Sequence, residues 1–316
     1  EAIDLFGAQA EVMFASHHWP RWGRGQIHEF LRHQRDLYKF IHDQTLRMAN
    51  HGLTGIEIAE RLKLPPTLAA QWYTRDYYGT LSHNAKAVYQ RYLGWFDGNP
   101  ANLNKHPPVE AGQRYVEAFG GPERVLTVAR EAFAAGDYRW AAEVVSHLVF
   151  ADPANMEARS LQADTLEQMG YQAESGPWRD FYLTGAQDLR NPMPASATPR
   201  QGATSQLRTL PADNLLDSLS VRLNGETAGA EVIAFDIHFT DTDETFAISV
   251  ENAVLHHRKA EGQGPVVSLS RETLIDLVVG EKRLEDLGNL GEGQQALAQF
   301  LPLLDRFDLW FGISVP

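Results

Sequence analysis

The chain of 316 residues contains no cysteine, which excludes disulfide bridges and cysteine-ligated metal sites. Positive charge is scarce: 28 Lys and Arg stand against 41 Asp and Glu, a formal net charge of −13 with an isoelectric point near 5.4. Such a chain repels phosphate backbones and anionic membrane surfaces, so a nucleic-acid-binding protein built on a broad basic face is excluded. No apolar run approaches the roughly 20 residues that span a bilayer, and no basic stretch followed by an apolar one opens the chain. What is present, 43% hydrophobic residues, suffices for a soluble globular protein of about two to three domains. Glu1 rather than Met stands first, and the opening residues read like the middle of a domain, so the expectation is that further sequence precedes them.

Residues 11–16 (EVMFAS) form an apolar run of strand length that leads into His17, His18, Trp19, Pro20, Arg21, Trp22 and Gly23. The simplest reading is a buried strand ending in a polar loop. More than a hundred residues of helical pattern follow, so no partner strand is visible, and the sheet is expected from elsewhere because a lone strand leaves its backbone unpaired. From Ile27, apolar residues recur at helical spacing through Phe30, Leu31, Leu37, Tyr38, Ile41 and Met48, and Gly52 supplies a stop. Thr54 and Glu57 have capping-box spacing for a short helix carrying Ile56, Ile58, Ala59 and Leu62, which Pro65 and Pro66 interrupt. Further helix is expected over 71–98, dense in aromatics, before the turn Asp97-Gly98-Asn99-Pro100. Over 107–185 the pattern is antiparallel helices, with Gly136, Asp137, Tyr138, Ala141, Asp152 and Asn155 spaced like a single tetratricopeptide hairpin.

Residues 191–208 are rich in Pro, Ala, Ser and Thr without apolar periodicity, the composition of a linker. Beyond them, Ile233, Phe235, Ile237 and Phe239 alternate, as do Phe246, Ile248 and Val250, giving half-buried strands, with further short strands at 254–257 and 266–269. Ser270 caps a helix, and a last amphipathic segment is expected over 295–307. This region is therefore α+β. Leu274, Leu277, Leu297, Phe300, Leu301 and Leu304 either line a ligand tunnel or fill a core, and His256-His257 reads as surface. The stretch LTGIEIAERLKLP has the cap of a helix-turn-helix opening, but the next segment offers Ala69, Ala70 and Trp72 instead of a basic face, so packing is the better reading.

A histidine leaving a strand end suits a metal ligand or proton carrier, which singles out the His17-His18 pair. The stretch ASHHWPRWG resembles the end of the metallo-β-lactamase-type domain of the alkyl sulfatases, bacterial enzymes that hydrolyse long-chain sulfate esters such as dodecyl sulfate. QRDLYKFIHDQTLRMANHGLT, RDYYGTLSHNAKAVYQRYLGWFDGNPANL, PPVEAGQRYVEAFGG and GDYRWAAEVVSHLVFADPAN resemble successive segments of the same family, so the likeness runs along nearly the whole chain. It implies the last strand and loop of an αββα metal-binding domain over 1–26 and an all-helical dimerisation domain over 27–190. After the linker 191–208, it implies a sterol-carrier-like, alkyl-chain-binding α+β domain over 209–316.

The resemblance also implies a binuclear zinc site and a homodimer. His17 matches a late zinc ligand of the family, and Tyr78, in Tyr77-Tyr78-Gly79, matches a tyrosine that reaches the sulfate; without the likeness, aromatics at that spacing read as core. His18 falls where the family varies and carries no ligand role. The chain contains no HxHxDH motif, so two zincs with one ligand from this chain require the remaining ligands from a preceding portion or another chain, and the 316 residues alone are expected to be inactive. Compartment is not encoded in the composition, and the likeness favours periplasm or secretion over cytoplasm. The competing expectation is a non-catalytic lipid- or surfactant-binding and dimerisation module.

Overall fold

Caps and turns, more than apolar period, decide where each element begins in the computed structural model, which describes residues 2–7, 9–191, 204–260, 262, 264–307 and 311–316. The chain divides into two units: Glu1–Pro192 with Gly312–Pro316, and Met193–Phe311.

In the first unit, α1 (Ala2–Phe6) precedes a hairpin of β1 (Val12–Ala15) and β2 (His18–Trp22), antiparallel, with Val12 opposite Trp22 and Ala15 opposite His18. This corrects the expected lone, buried strand. Its partner follows at once, because the Ser16-His17 turn folds the chain straight back and the Trp-bearing stretch His18–Trp22 tolerates Pro20 on an edge strand. The hairpin is also largely exposed, Phe14 at 80%.

Next, α2 (Arg24–Ala49) buries Ile27, Phe30 and Ile41, whereas Tyr38, expected on the same face, is exposed. The capping box opens α3 (Gly55–Arg61): the Thr54 N–H donates to the Glu57 carboxylate at 2.8 Å while the Glu57 N–H donates to Thr54 Oγ1. Ile58 and Leu62 pack with Ile41 of α2, and only a single turn, α4 (Pro66–Ala69), follows.

The helix expected over 71–98 is broken into a 3₁₀ turn (Trp72–Thr74), an irregular loop and α5 (Leu81–Leu93). Polar side chains outbid the aromatic period here. Thr74 Oγ1 donates to the Leu68 carbonyl at 2.6 Å, the Asp76 carboxylate accepts the Leu81 N–H, and the Thr80 hydroxyl accepts the His83 N–H.

The helices α6 (Pro108–Phe119), α7 (Pro122–Ala134), α8 (Tyr138–Ala151), α9 (Met156–Gln172) and α10 (Gly176–Arg190) close around Val125, Leu126, Val145, Leu148 and Leu189. Asp137 and Asn155 cap α8 and α9, forming the expected hairpin. Gly112 of α6 lies so close to α8 that an added Cβ would meet the His147 carbonyl oxygen at 2.6 Å. Residues 312–316 return to this unit: Asp188 Oδ2 accepts the N–H groups of Ile313 and Ser314, and Val315 joins the helical core.

In the second unit, most of the expected linker lies outside the described residues, and its end forms the one-turn helix α11 (Thr204–Leu207). Then come α12 (Ala212–Ser220), α13 (Gly225–Ala228), β3 (Ile233–Phe239), β4 (Glu244–Glu251), β5 (Val254–Lys259), β6 (Val266–Leu269), α14 (Arg271–Val279) and α15 (Gln294–Phe300). The sheet order is β5-β4-β3-β6, with β6 parallel to β3 and the other pairs antiparallel.

The alternation seen in sequence sends Phe235, Ile237, Phe239, Phe246 and Ile248 into one core with the helices. Leu274, Leu277, Leu297, Phe300 and Leu304 belong to that core, and Leu301 packs at its margin. The final segment is α-helical only to Phe300 and ends in a 3₁₀ turn over Leu301–Leu303, earlier than expected, because Pro302 lacks the N–H that would continue the α-helix. His256 is exposed as expected; His257 is not a plain surface residue, since its Nε2 lies 2.8 Å from Asp217 Oδ1 and its ring meets Phe246 edge-on. Among the described residues no helix is long and apolar enough to cross a membrane.

Candidate functional site

The turn of the β1–β2 hairpin carries His17 to the surface, where its ring stacks on Tyr78 at 4.5 Å between centroids and 24° between planes. The two residues nominated from sequence are thus brought together, although the segments bearing them are a strand turn and a loop in different parts of the helical unit. Tyr78 is 61% exposed. An open cleft of about 520 Å³ is lined by Ser16, His17, His18, Trp19, Trp72 and Tyr77, so His17 lines it directly while Tyr78 backs that histidine.

The hairpin is set in place by Arg21, a residue the sequence reading passed over. Its guanidinium lies 4.9 Å from the ring centroids of Trp72 and Tyr73 and 5.5 Å from that of Phe30. Nε and Nη2 are buried without a hydrogen-bond partner, so the ring faces supply the electrostatic compensation that water would otherwise give. Tyr73 is itself fixed by α2, through 2.7 Å contacts of its hydroxyl with His33 Nδ1 and of its carbonyl with Gln34 Nε2. The alternation of His, Trp and Arg in HWPRW was the available signal, masked by Pro20.

His18 packs edge-on against Phe30 and Trp72 at 5.7 and 5.9 Å. Burial, then the charges of Arg21 and His17, pull its pKa below the usual histidine value, so it stands neutral near pH 7. Behind Tyr78, burial pushes the Asp76 carboxyl up and pulls His83 down; His83 lies edge-on to Trp178 at 4.5 Å.

Taken alone, this donor set does not fit a metal ion: among the described residues no three His, Cys, Asp or Glu side chains converge. What the chain offers is one exposed imidazole at the edge of a cleft, its face steadied by a phenol ring.

Two family models match the chain, alkyl sulfatase dimerisation over residues 54–192 and alkyl sulfatase C-terminal over residues 200–316. The chain belongs to the alkyl sulfatase family. It is similar to a linear primary-alkylsulfatase of Pseudomonas sp., 45% identical over 324 residues, covering 100% of this chain and 48% of the relative. It is likewise similar to an alkyl/aryl-sulfatase of Saccharomyces cerevisiae, 43% identical, covering 98% of this chain and 49% of that one.

Among solved structures, a stereoselective inverting sec-alkylsulfatase of Pseudomonas sp. superposes with a TM-score of 0.91 at 41% identity, covering 100% of this chain and 51% of that one. The chain spans about half the length of the curated relatives it matches. Within the chain, the dimerisation match begins at the capping box and includes Tyr78, while His17 and Arg21 precede it.

Proposed function

We propose that this chain is the dimerisation and C-terminal part of an alkyl sulfatase that hydrolyses long-chain alkyl sulfate esters, of the dodecyl sulfate type, to alcohol and sulfate. The observation that carries the reading is the stacking of Tyr78 on His17, the histidine that lines the open cleft, since it joins the family's late histidine position to its sulfate-facing tyrosine. His17 is assigned as one ligand of a binuclear zinc site. The remaining ligands are assigned to a metallo-β-lactamase-type αββα portion, to which the exposed hairpin adds its strands.

When bound, the metal pair supplies Lewis acidity at the sulfate ester. This chain's own contribution is positional. The Tyr78 hydroxyl donates to a sulfate oxygen, a neutral donor aimed where negative charge accumulates. Stacking holds the His17 ring in one orientation, and Arg21 in its aromatic box keeps the hairpin from swinging away. Trp19, Trp72 and Tyr77 line the cleft with apolar surface suited to the first methylenes of the ester. The second unit, read as sterol-carrier-like, is assigned to the rest of the alkyl chain, and the helical unit to a homodimer.

The test is sulfate release from dodecyl sulfate by the full-length enzyme with zinc. Tyr78→Phe is expected to lower kcat/KM by about a hundredfold without changing thermal stability. Binding of dodecyl sulfate with no sulfate released by the wild type would favour the non-catalytic surfactant-binding module instead.

A further inference from the structure

The loop that carries Tyr78 is held from behind by a contact that no motif announces. Ser175, the residue before α10, is 1% exposed. Its hydroxyl donates to the Tyr78 carbonyl at 2.6 Å and accepts the N–H of Trp178 at 3.3 Å, so one side chain both caps a helix and ties down a loop. Beside it the Gly176 N–H donates to the Tyr77 carbonyl at 3.0 Å, and Arg75 pairs with Glu174 at the same junction. An irregular loop has no ladder to satisfy its carbonyls, and two consecutive ones are here assigned to two consecutive donors at a helix start.

Building on the reading of Tyr78 as a sulfate donor, we propose that Ser175 is a positioning residue for the sulfate site. Its hydroxyl fixes the Tyr78 backbone, and through it the ring that lies on His17. The phenol then meets the substrate already oriented, and the entropy of ordering the loop is not charged to the binding step.

The experiment compares four variants in the full-length enzyme: Ser175→Ala, Tyr78→Phe, the two combined, and Asn155→Ala. Asn155 caps α9 through the Ala158 N–H at 3.0 Å without touching the loop, so it controls for loss of a helix cap alone. Ser175→Ala is expected to lower kcat/KM about tenfold and to speed amide exchange over residues 75–80. Asn155→Ala lowers the melting temperature similarly while leaving kcat/KM and that exchange unchanged. The double variant loses no more activity than Tyr78→Phe, because the latch acts only through that tyrosine.

Ser175→Gly, which a helix start tolerates better, replaces Ser175→Ala if the latter does not fold. Unchanged exchange over 75–80, or losses that multiply in the double variant, would overturn the proposal. A silent Tyr78→Phe together with faster exchange in Ser175→Ala overturns the sulfate-donor reading and with it any part of Ser175 in turnover, leaving only a loop latch.

Discussion

The β1–β2 hairpin and the strands β3 and β4 of the β5-β4-β3-β6 sheet both carry aromatic rings, yet they treat them oppositely. In the sheet, Phe235, Phe239 and Phe246 are at most 2% exposed, covered by α12, α14 and α15. In the hairpin, Phe14, Trp19 and Trp22 are 80%, 78% and 62% exposed. A four-stranded sheet with one face roofed by helices satisfies itself, whereas a two-stranded ribbon with bare rings is marginal unless something is laid against it. The difference separates a self-sufficient part of the molecule from one shaped for company, and places the candidate site in the second.

The largest expected effect tests the closed side of that contrast. Phe246→Ala should destabilise the C-terminal unit by about 3–5 kcal/mol, from lost burial plus the cavity left behind, as read by denaturant melts. A loss below about 1 kcal/mol would mean that the sheet is no better packed than the hairpin.

A smaller effect distinguishes the units by pH. Burial holds His18, His83 and His147, all in the helical unit, below the usual histidine value. The unfolded chain therefore takes up protons first as pH falls, so their stabilising share is complete above about pH 6.5 and is lost as pH drops through the lowered folded values. Melts followed by tryptophan fluorescence, which reports mainly the helical unit because six of the seven tryptophans (all but Trp310) lie in it, should show a lower midpoint at pH 5.5 than at pH 7.5. An equal or higher midpoint would contradict the burial argument. The smallest effect belongs to the open side: Phe14→Ala should change the chain's own stability by no more than about 0.5 kcal/mol.

Much of the C-terminal unit was legible because period-2 alternation and the Ser270 cap are local signals, and burial follows them directly. The helix start at Thr54 was legible for the same reason, whereas Asp137 and Asn155 stood out only through tetratricopeptide-like spacing and prove to be the caps of α8 and α9. The loop after Thr74 was not, since the bonds that end the helix there come from Thr74, Asp76 and Thr80 while the aromatic spacing continues uninterrupted.

Nor could the hairpin be read as a hairpin, with Pro20 inside its second strand and a register shift between Met13 and Ala15. At the site, His17 and Tyr78 were nominated through a family likeness; their stacking was beyond any local pattern. Arg21 among three rings, and Ser175 beneath Tyr78 at a sequence separation of 97, exist only once the helices are packed.

The central claim is that this chain contributes His17 to a zinc site whose other ligands lie elsewhere. The most direct test is the zinc content of the full-length enzyme, measured by elemental analysis alongside native mass spectrometry, for wild type and His17→Ala. The account predicts two zincs per subunit in the wild type, a lower content in the variant, and an intact dimer in both. An unchanged zinc content in His17→Ala would show that the exposed imidazole on Tyr78 is not a ligand, and the assignment of the site to this hairpin would fall.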